Sequence, residues 1–385
     1  MEFANIHINT LKLHIVSFNV PYPADYGGVI DVYYRLKALA ELGVEITLHC
    51  FAYGREESPQ LERLCKNVYY YRRDMGLGKM LSSRPFIVAS RDNRELLENL
   101  EKDDNPILLE GLHCCSMLEH LRYRSSRSIF VRMHNVEHDY YNSLAEAESN
   151  FFKRCYYRMD ARKLERYEPV IINAAGVFAV TMADAAHFRA LGCKNVILLP
   201  ISHVNDEVVS KVGQGSYALY HADLSVTENI DAVKYLAHNV FQKSKCRFVV
   251  AGRRPSELVR DLLAKYDNVE LVAQPDDETM QRLISDAQVS IMFTNQPTGL
   301  KIKLLNSLYA GRHCLVNSNM VAGTKLGELC TVADTPESFC TDLDELMSRP
   351  FTQQDIDSRK ALLGDLYSNK ANARIVLDCL RLAQK

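Results

Sequence analysis

Short apolar runs alternate with stretches of helical period along nearly the whole chain. Leu13–Phe18 reads as a strand, and a loop rich in Pro and Gly follows it. Val29, Val32, Tyr33, Leu36, Leu39 and Ala40 then fall on one helical face. Glu45–Phe51, Val68–Tyr71, Ile107–Leu109, Ile129–Met133 and Val177–Val180 read as further strands. Continuous apolar runs separated by helices predict a parallel sheet covered on both faces.

From about Pro200 to Gly215 the rhythm stops, and the residues are polar with Pro, Gly and Ser. A second series follows. Tyr217–His221 is its first strand, and Ile230, Val233, Leu236, Ala237, Val240 and Phe241 form a helical stripe. Phe248–Ala251, Val269–Val272, Val289–Phe293 and Cys314–Val316 read as its other strands. Residues from about Thr352 onward are helical with no strand to pair with. The expectation is an α/β protein of two doubly wound Rossmann-like domains facing a cleft. Residues 1–200 form the first domain, 201–215 the linker and 216–350 the second domain. The helices of 351–385 pack back on the first. Such domains hold ligands in the loops at the carboxyl ends of their strands.

Composition narrows the function. A chain of 385 residues, 47% apolar, suits two domains. Its formal net charge of −2 excludes a dedicated nucleic-acid binder, whose footprint is basic. The 11 cysteines are an odd number with no C-x-x-C spacing, which fits neither a zinc ribbon nor a disulfide framework. A reducing cytosol is the expected compartment. Met1 to Thr10 show no secretory signal, and Val289–Phe293 falls far short of the roughly 20 residues of a spanning helix. Contact with a membrane surface stays open.

Candidate chemistry lies at the ends of the strands. Asn19-Val-Pro-Tyr-Pro-Ala-Asp-Tyr-Gly-Gly28 joins a strand to a helix, and Gly27 and Gly28 allow close approach of an anion to the helix start. An ordinary βα turn would use the same glycines. Neither G-x-G-x-x-G nor G-x-x-x-x-G-K-[ST] occurs, which removes support for nicotinamide dehydrogenases and P-loop NTPases. His134, Glu137 and His138 spell H-x-x-E-H, the pattern of an inverted zinc peptidase. His134 follows a strand directly, so it reads instead as a polar group at a cleft or a structural histidine.

In the second half, Thr298 and Gly299 are expected to cap a helix carrying Lys301 and Lys303 in its first turn. Cations there oppose the helix dipole by roughly 0.3–1 kcal/mol each, which calls for a bound anion or a solvated surface. Arg253 and Arg254 end the strand Phe248–Ala251 at the same rim, where a guanidinium can grip phosphate. Phe151–Tyr167 mixes Arg, Lys and aromatics, as a membrane-resting helix or a solvated face would.

Together these residues resemble the GT-B glycosyltransferases, family four in particular. Asp25-Tyr-Gly-Gly28 is similar to the family's N-terminal signature. Met133-His-Asn-Val-Glu-His-Asp-Tyr-Tyr141, with Ala161-Arg-Lys-Leu-Glu-Arg-Tyr-Glu168, is similar to a stretch of its bacterial members. Tyr220-His-Ala-Asp-Leu-Ser-Val-Thr-Glu-Asn-Ile-Asp-Ala232 resembles the opening of the donor domain. Gly299-Leu-Lys-Ile-Lys-Leu-Leu-Asn-Ser-Leu-Tyr-Ala-Gly311 resembles the donor-site helix. The likeness spans nearly the entire chain in order.

The resemblance implies a nucleotide-diphosphate sugar bound by the second domain and a glycan, lipid-linked or small-molecule acceptor by the first. It implies transfer with retained anomeric configuration, without metal or other cofactor. Gly27, Gly28, Arg253, Thr298, Gly299, Lys301, Lys303 and Asn306 would bind the donor, and His134 would serve at the reacting sugar. The family usually carries two glutamates where Thr298 and Asn306 stand, and Asp223 and Glu228 lie where it has Arg and Lys. A non-catalytic relative that binds a sugar nucleotide or serves as a partner subunit, and a sugar-nucleotide epimerase, are the alternatives on the same frame.

Overall fold

The computed structural model describes residues 11–121, 127–148, 150–296 and 299–383. Met1–Thr10 and Thr298 lie outside the described residues. The chain divides into two compact units. The first runs to His203 and takes up the chain again at Tyr367; the second is Val204–Leu366.

The first unit is built on β1 (Lys12–Ser17), β2 (Glu45–Ala52), β3 (Asn67–Arg72), β4 (Ile107–Glu110), β5 (Ile129–Arg132), β6 (Gly176–Ala179) and β7 (Val196–Leu198). They form one parallel sheet in the order β3-β2-β1-β4-β5-β6-β7. Every residue of β4, β5 and β6 is buried, as expected of strands covered by helices on both faces. Strand β7 was not foreseen. It has three half-buried residues at the sheet edge, too few to stand out as an apolar run.

The second unit contains β8 (Ala218–Asp223), β9 (Phe248–Arg253), β10 (Val269–Ala273), β11 (Val289–Met292), β12 (His313–Val316) and β13 (Thr331–Val332). Their order is β10-β9-β8-β11-β12-β13, again all parallel. Strand order reverses at β1/β4 in one unit and at β8/β11 in the other. These switch points are where doubly wound sheets open a crevice for ligand.

The terminal segment is two helices with separate allegiances. Gln353–Leu366 belongs to the second unit and Asn369–Leu382 to the first. Ala373, Val376, Leu377 and Leu380 join the core that contains Leu36 and Leu39 of the first helix. Asn369 fixes the return: its side chain accepts from the His203 amide at 3.1 Å and donates to the His203 carbonyl at 2.7 Å. Among the described residues no helix is long and apolar enough to cross a membrane.

Arg359, only 2% exposed, closes the end of the Ile302–Ala310 helix. Its guanidinium donates to the carbonyls of Leu308 at 3.0 Å and Gly311 at 2.6 Å, to that of Arg312, and to Ser210 Oγ at 3.0 Å. The last carbonyls of a helix have no partner within it, and burying them unpaired costs about 1–3 kcal/mol each. Arg359→Met is therefore expected to destabilise the second unit by about 3 kcal/mol or more. Urea unfolding of the full chain checks this; a shift below about 0.5 kcal/mol, the size of an ordinary surface change, would contradict it.

Candidate functional site

The carboxyl ends of β4 and β5 carry Glu110 and Arg132, and the adjacent Gly27–Glu41 helix brings Asp31 and Arg35 one turn apart. All four are 2% exposed or less. Arg35 grips Asp31 through two bonds of 3.0 and 2.9 Å, and Glu110 through two of 3.1 and 3.0 Å. Arg132 Nε donates to Asp31 at 3.0 Å, and the amide of Ser202 donates to Asp31 at 2.7 Å. Burial by itself would raise the Asp31 pKa, but Arg132 and Arg35 outweigh it and hold the carboxyl well below its usual range. Glu110 is likewise lowered, since Arg35 and His134 overcome the effect of its burial.

His134 sits on this network. Its Nε2 lies 3.0 Å from Glu110 Oε2, while Nδ1 lies 3.4 Å from Asp31 Oδ2. The first is a hydrogen bond and anchors the ring. The second is long for one, and Nδ1 faces the buried Asp31 carboxylate. The side chain is 11% exposed, and Phe18 packs edge-on against its ring.

Gly27 and Gly28 are the first two residues of their helix, and Tyr26 before them supplies no side-chain cap. Gly28 has a packing reason as well. A Cβ there would stand 2.7 Å from Phe18 Cζ, so the helix start approaches the end of β1 only without a side chain.

The H-x-x-E-H pattern does not become a zinc-peptidase motif. The helix begins at Glu137, so His134 lies before it and shares no face with His138. His138 turns to Glu168 and His187 instead. Asp31, Glu110 and His134 are themselves close enough to hold an ion, but an ion there would have to displace Arg35 and Arg132 from the two carboxylates.

The second unit's site differs from expectation in its start. The helix runs from Ile302 to Ala310, with Lys301 as its N-cap residue and Lys303 as its second residue. Gly299 stands outside it at φ +71°, a left-handed turn that suits glycine and does not continue into a helix. Lys303 Nζ donates to Asn229 Oδ1 at 3.0 Å and lies 5.3 Å from the centre of the Tyr220 ring. Burial lowers its pKa to about 8, only partly offset by Glu228 and assisted by Lys301. Lys301 Nζ donates to the Gly299 carbonyl at 3.3 Å. Asn306 Oδ1 accepts from Asn205 at 2.9 Å. Gly299, Lys301, Lys303, Glu228 and Asn229 thus form one group beside β8. Arg253 is 52% exposed and 3.7 Å from Asp277, while Arg254 pairs with Asp223.

The supporting residues escaped sequence reasoning. Asp31 and Arg35 have the i, i+4 spacing of a helical ion pair, and Glu110 ends an apolar run; those were the available signals. Thr294 was not singled out either. Its hydroxyl donates to Glu228, and Asn317 bridges its backbone with bonds of 3.1 and 2.7 Å.

No family model matches the chain. An uncharacterised 44.6 kDa protein in the cps region of Klebsiella pneumoniae is 24% identical over 356 residues, 87% of this chain and 88% of that protein. Sucrose-phosphate synthase from Thermosynechococcus elongatus superimposes with a TM-score of 0.70 at 14% identity, covering 97% of this chain and 98% of its own. S. aureus TarM, solved with Fondaparinux, alpha-GlcNAc-glycerol and UDP, gives 0.65 at 10% identity over 96% of this chain and 100% of its own. Anabaena HepE, solved with UDP and glucose, gives 0.63 at 10% over 97% and 100%. The fold is that of the GT-B glycosyltransferases.

The buried ion network yields a pH test. A carboxyl depressed in the folded state contributes stability above its unfolded pKa of about 4 and loses it as pH falls toward the folded value. The network's contribution, read as the difference in urea midpoint between the unaltered chain and Asp31→Asn, should therefore hold from pH 7 to about 5 and then shrink. Asp31→Asn should cost about 3–5 kcal/mol at pH 7, because it leaves buried guanidinium charge uncompensated, and should flatten the acid drop. An unchanged acid profile in that variant would show that the network does not govern stability.

Proposed function

We propose that the chain is a glycosyltransferase that moves a sugar from a nucleotide-diphosphate sugar to a glycan, lipid-linked or small-molecule acceptor. Configuration is retained and no metal or other cofactor takes part. What carries this reading is the group of Lys301, Lys303 and Gly299 beside the β8/β11 switch point of a GT-B fold. Cleaving the donor builds negative charge on the leaving diphosphate. The Lys303 ammonium and the amides at the start of the Ile302–Ala310 helix oppose that charge. Lys301 and Arg253 add positive charge, and Asn306 hydrogen-bonds the ribose in this reading. Thr298, outside the described residues, belongs to the donor-binding set in this reading.

In the first unit, Gly27 and Gly28 offer helix-start amides, and His134, its ring held by Glu110, serves at the reacting sugar in this reading. UDP is the first nucleotide to test, because structures of TarM and HepE contain it. A relative from a cps region supports a role in polysaccharide biosynthesis. Eleven free cysteines, five of them fully or partly accessible, fit a cytoplasmic protein. Peripheral contact with the inner face of the membrane is part of the proposal; it rests on Phe151 and Phe152, 62% and 81% exposed, at the start of a helix rich in arginine.

Calorimetry tests the donor site. Lys303→Met should weaken UDP binding about tenfold or more, since a charge-assisted hydrogen bond contributes roughly 1.5–3 kcal/mol. Uridine, which offers no anion, should be nearly unaffected. The Lys303 ammonium is charged below about pH 8 and neutral above it. UDP affinity should therefore decline as pH rises through that value, and the variant should lack the decline. Equal losses for UDP and uridine would place Lys303 in the scaffold alone.

A further inference from the structure

We propose that His138, Glu168 and His187 form a binding site for a divalent transition-metal ion, with zinc as the ion of best fit. The three residues come from separate segments: the Glu137–Ala147 helix, the Glu168–Asn173 turn and the Met182–Leu191 helix. One ligand atom from each lies within 4.8 Å of the others. His138 Nδ1 is 3.6 Å from Glu168 Oε1, and His187 Nε2 is 2.7 Å from Glu168 Oε2. Ligands about 2.0–2.2 Å from a tetrahedral zinc stand roughly 3.4 Å apart, so small side-chain shifts complete the geometry.

Two further observations point to a ligand. Glu168 is 1% exposed, and its Oε1 faces His138 Nδ1 at 3.6 Å, too far for a close hydrogen bond, so neither atom is well satisfied by the other. Buried polar atoms are rarely left so. The charge balance agrees. Among the described residues no Lys or Arg forms an ion pair with Glu168, whereas Asp31 and Glu110 are each held by a guanidinium. Glu137 is buried alongside, and a divalent cation would offset the two neighbouring carboxyl groups.

Two imidazoles and one carboxylate are a donor set for zinc and its neighbours in the first transition series, rather than for calcium or magnesium. His187, 32% exposed, leaves a path for entry and a coordination position for water. The ion would tie the three segments together and stabilise the first unit. This site is independent of the sugar-transfer reading.

The test uses the full chain after chelator treatment, titrated with Co²⁺ and then Zn²⁺. One equivalent of Co²⁺ should give visible ligand-field bands without the near-ultraviolet charge-transfer band of thiolate ligation, and Zn²⁺ should displace it. Excess Zn²⁺ should raise the Tm. His187→Ala and Glu168→Gln should each bind at least tenfold more weakly and lose the Tm response, while Cys155→Ser keeps both. His187 is partly exposed, so its variant should fold, and circular dichroism verifies that. Absence of saturable binding, a dominant thiolate band, or unchanged affinity in both variants would overturn the proposal.

Discussion

The first unit depends on burying two carboxylates and two guanidiniums in one place. Asp31, Arg35, Glu110 and Arg132 come from a helix and two strands, and each is almost fully removed from water. Desolvating such charges costs several kcal/mol per ion, which is recovered only when every partner is in position. Asp31 has three: Arg35, Arg132 and the Ser202 amide. The network therefore locks the first helix against β4 and β5 and ties both to the chain just before it leaves the unit. His134 inherits that rigidity through Glu110.

The second unit solves a related problem with one cation. Lys303 lies against Asn229, Tyr220 and Glu228, and its lowered pKa records the cost of keeping an ammonium out of water. An incoming diphosphate would favour the charged form and recover part of that cost on binding. The helix that carries Lys303 is held at its far end by Arg359, which satisfies carbonyls that would otherwise be orphaned. Lys303 and Arg359 thus act on opposite ends of one short helix.

Most strands were legible because a strand buried on both faces is a continuous apolar run, as Ile107–Leu109 and Val289–Phe293 are. Val196–Leu198 and Thr331–Val332 were not; they are short edge strands with partly exposed residues. The lysines at 301 and 303 were legible as cations at a helix start, but the exact start was not. Gly299 turns left-handed and Lys301 is extended, and no Ser, Thr, Asp or Asn caps Ile302 to mark it. The Asp31–Arg132 network was hidden for a general reason. Charged residues are exposed by default, and long-range pairing across 101 positions leaves no local pattern.

Sugar transfer is the activity on which the roles assigned to both units converge. The decisive measurement is product analysis by NMR after incubating the full chain with nucleotide-diphosphate sugars and candidate glycan acceptors, with and without a chelator. The account predicts release of nucleoside diphosphate and a new glycosidic bond with the donor's anomeric configuration. Binding without turnover of any donor would make the protein a sugar-nucleotide binder, and an epimerised donor or an inverted linkage would contradict the mechanism.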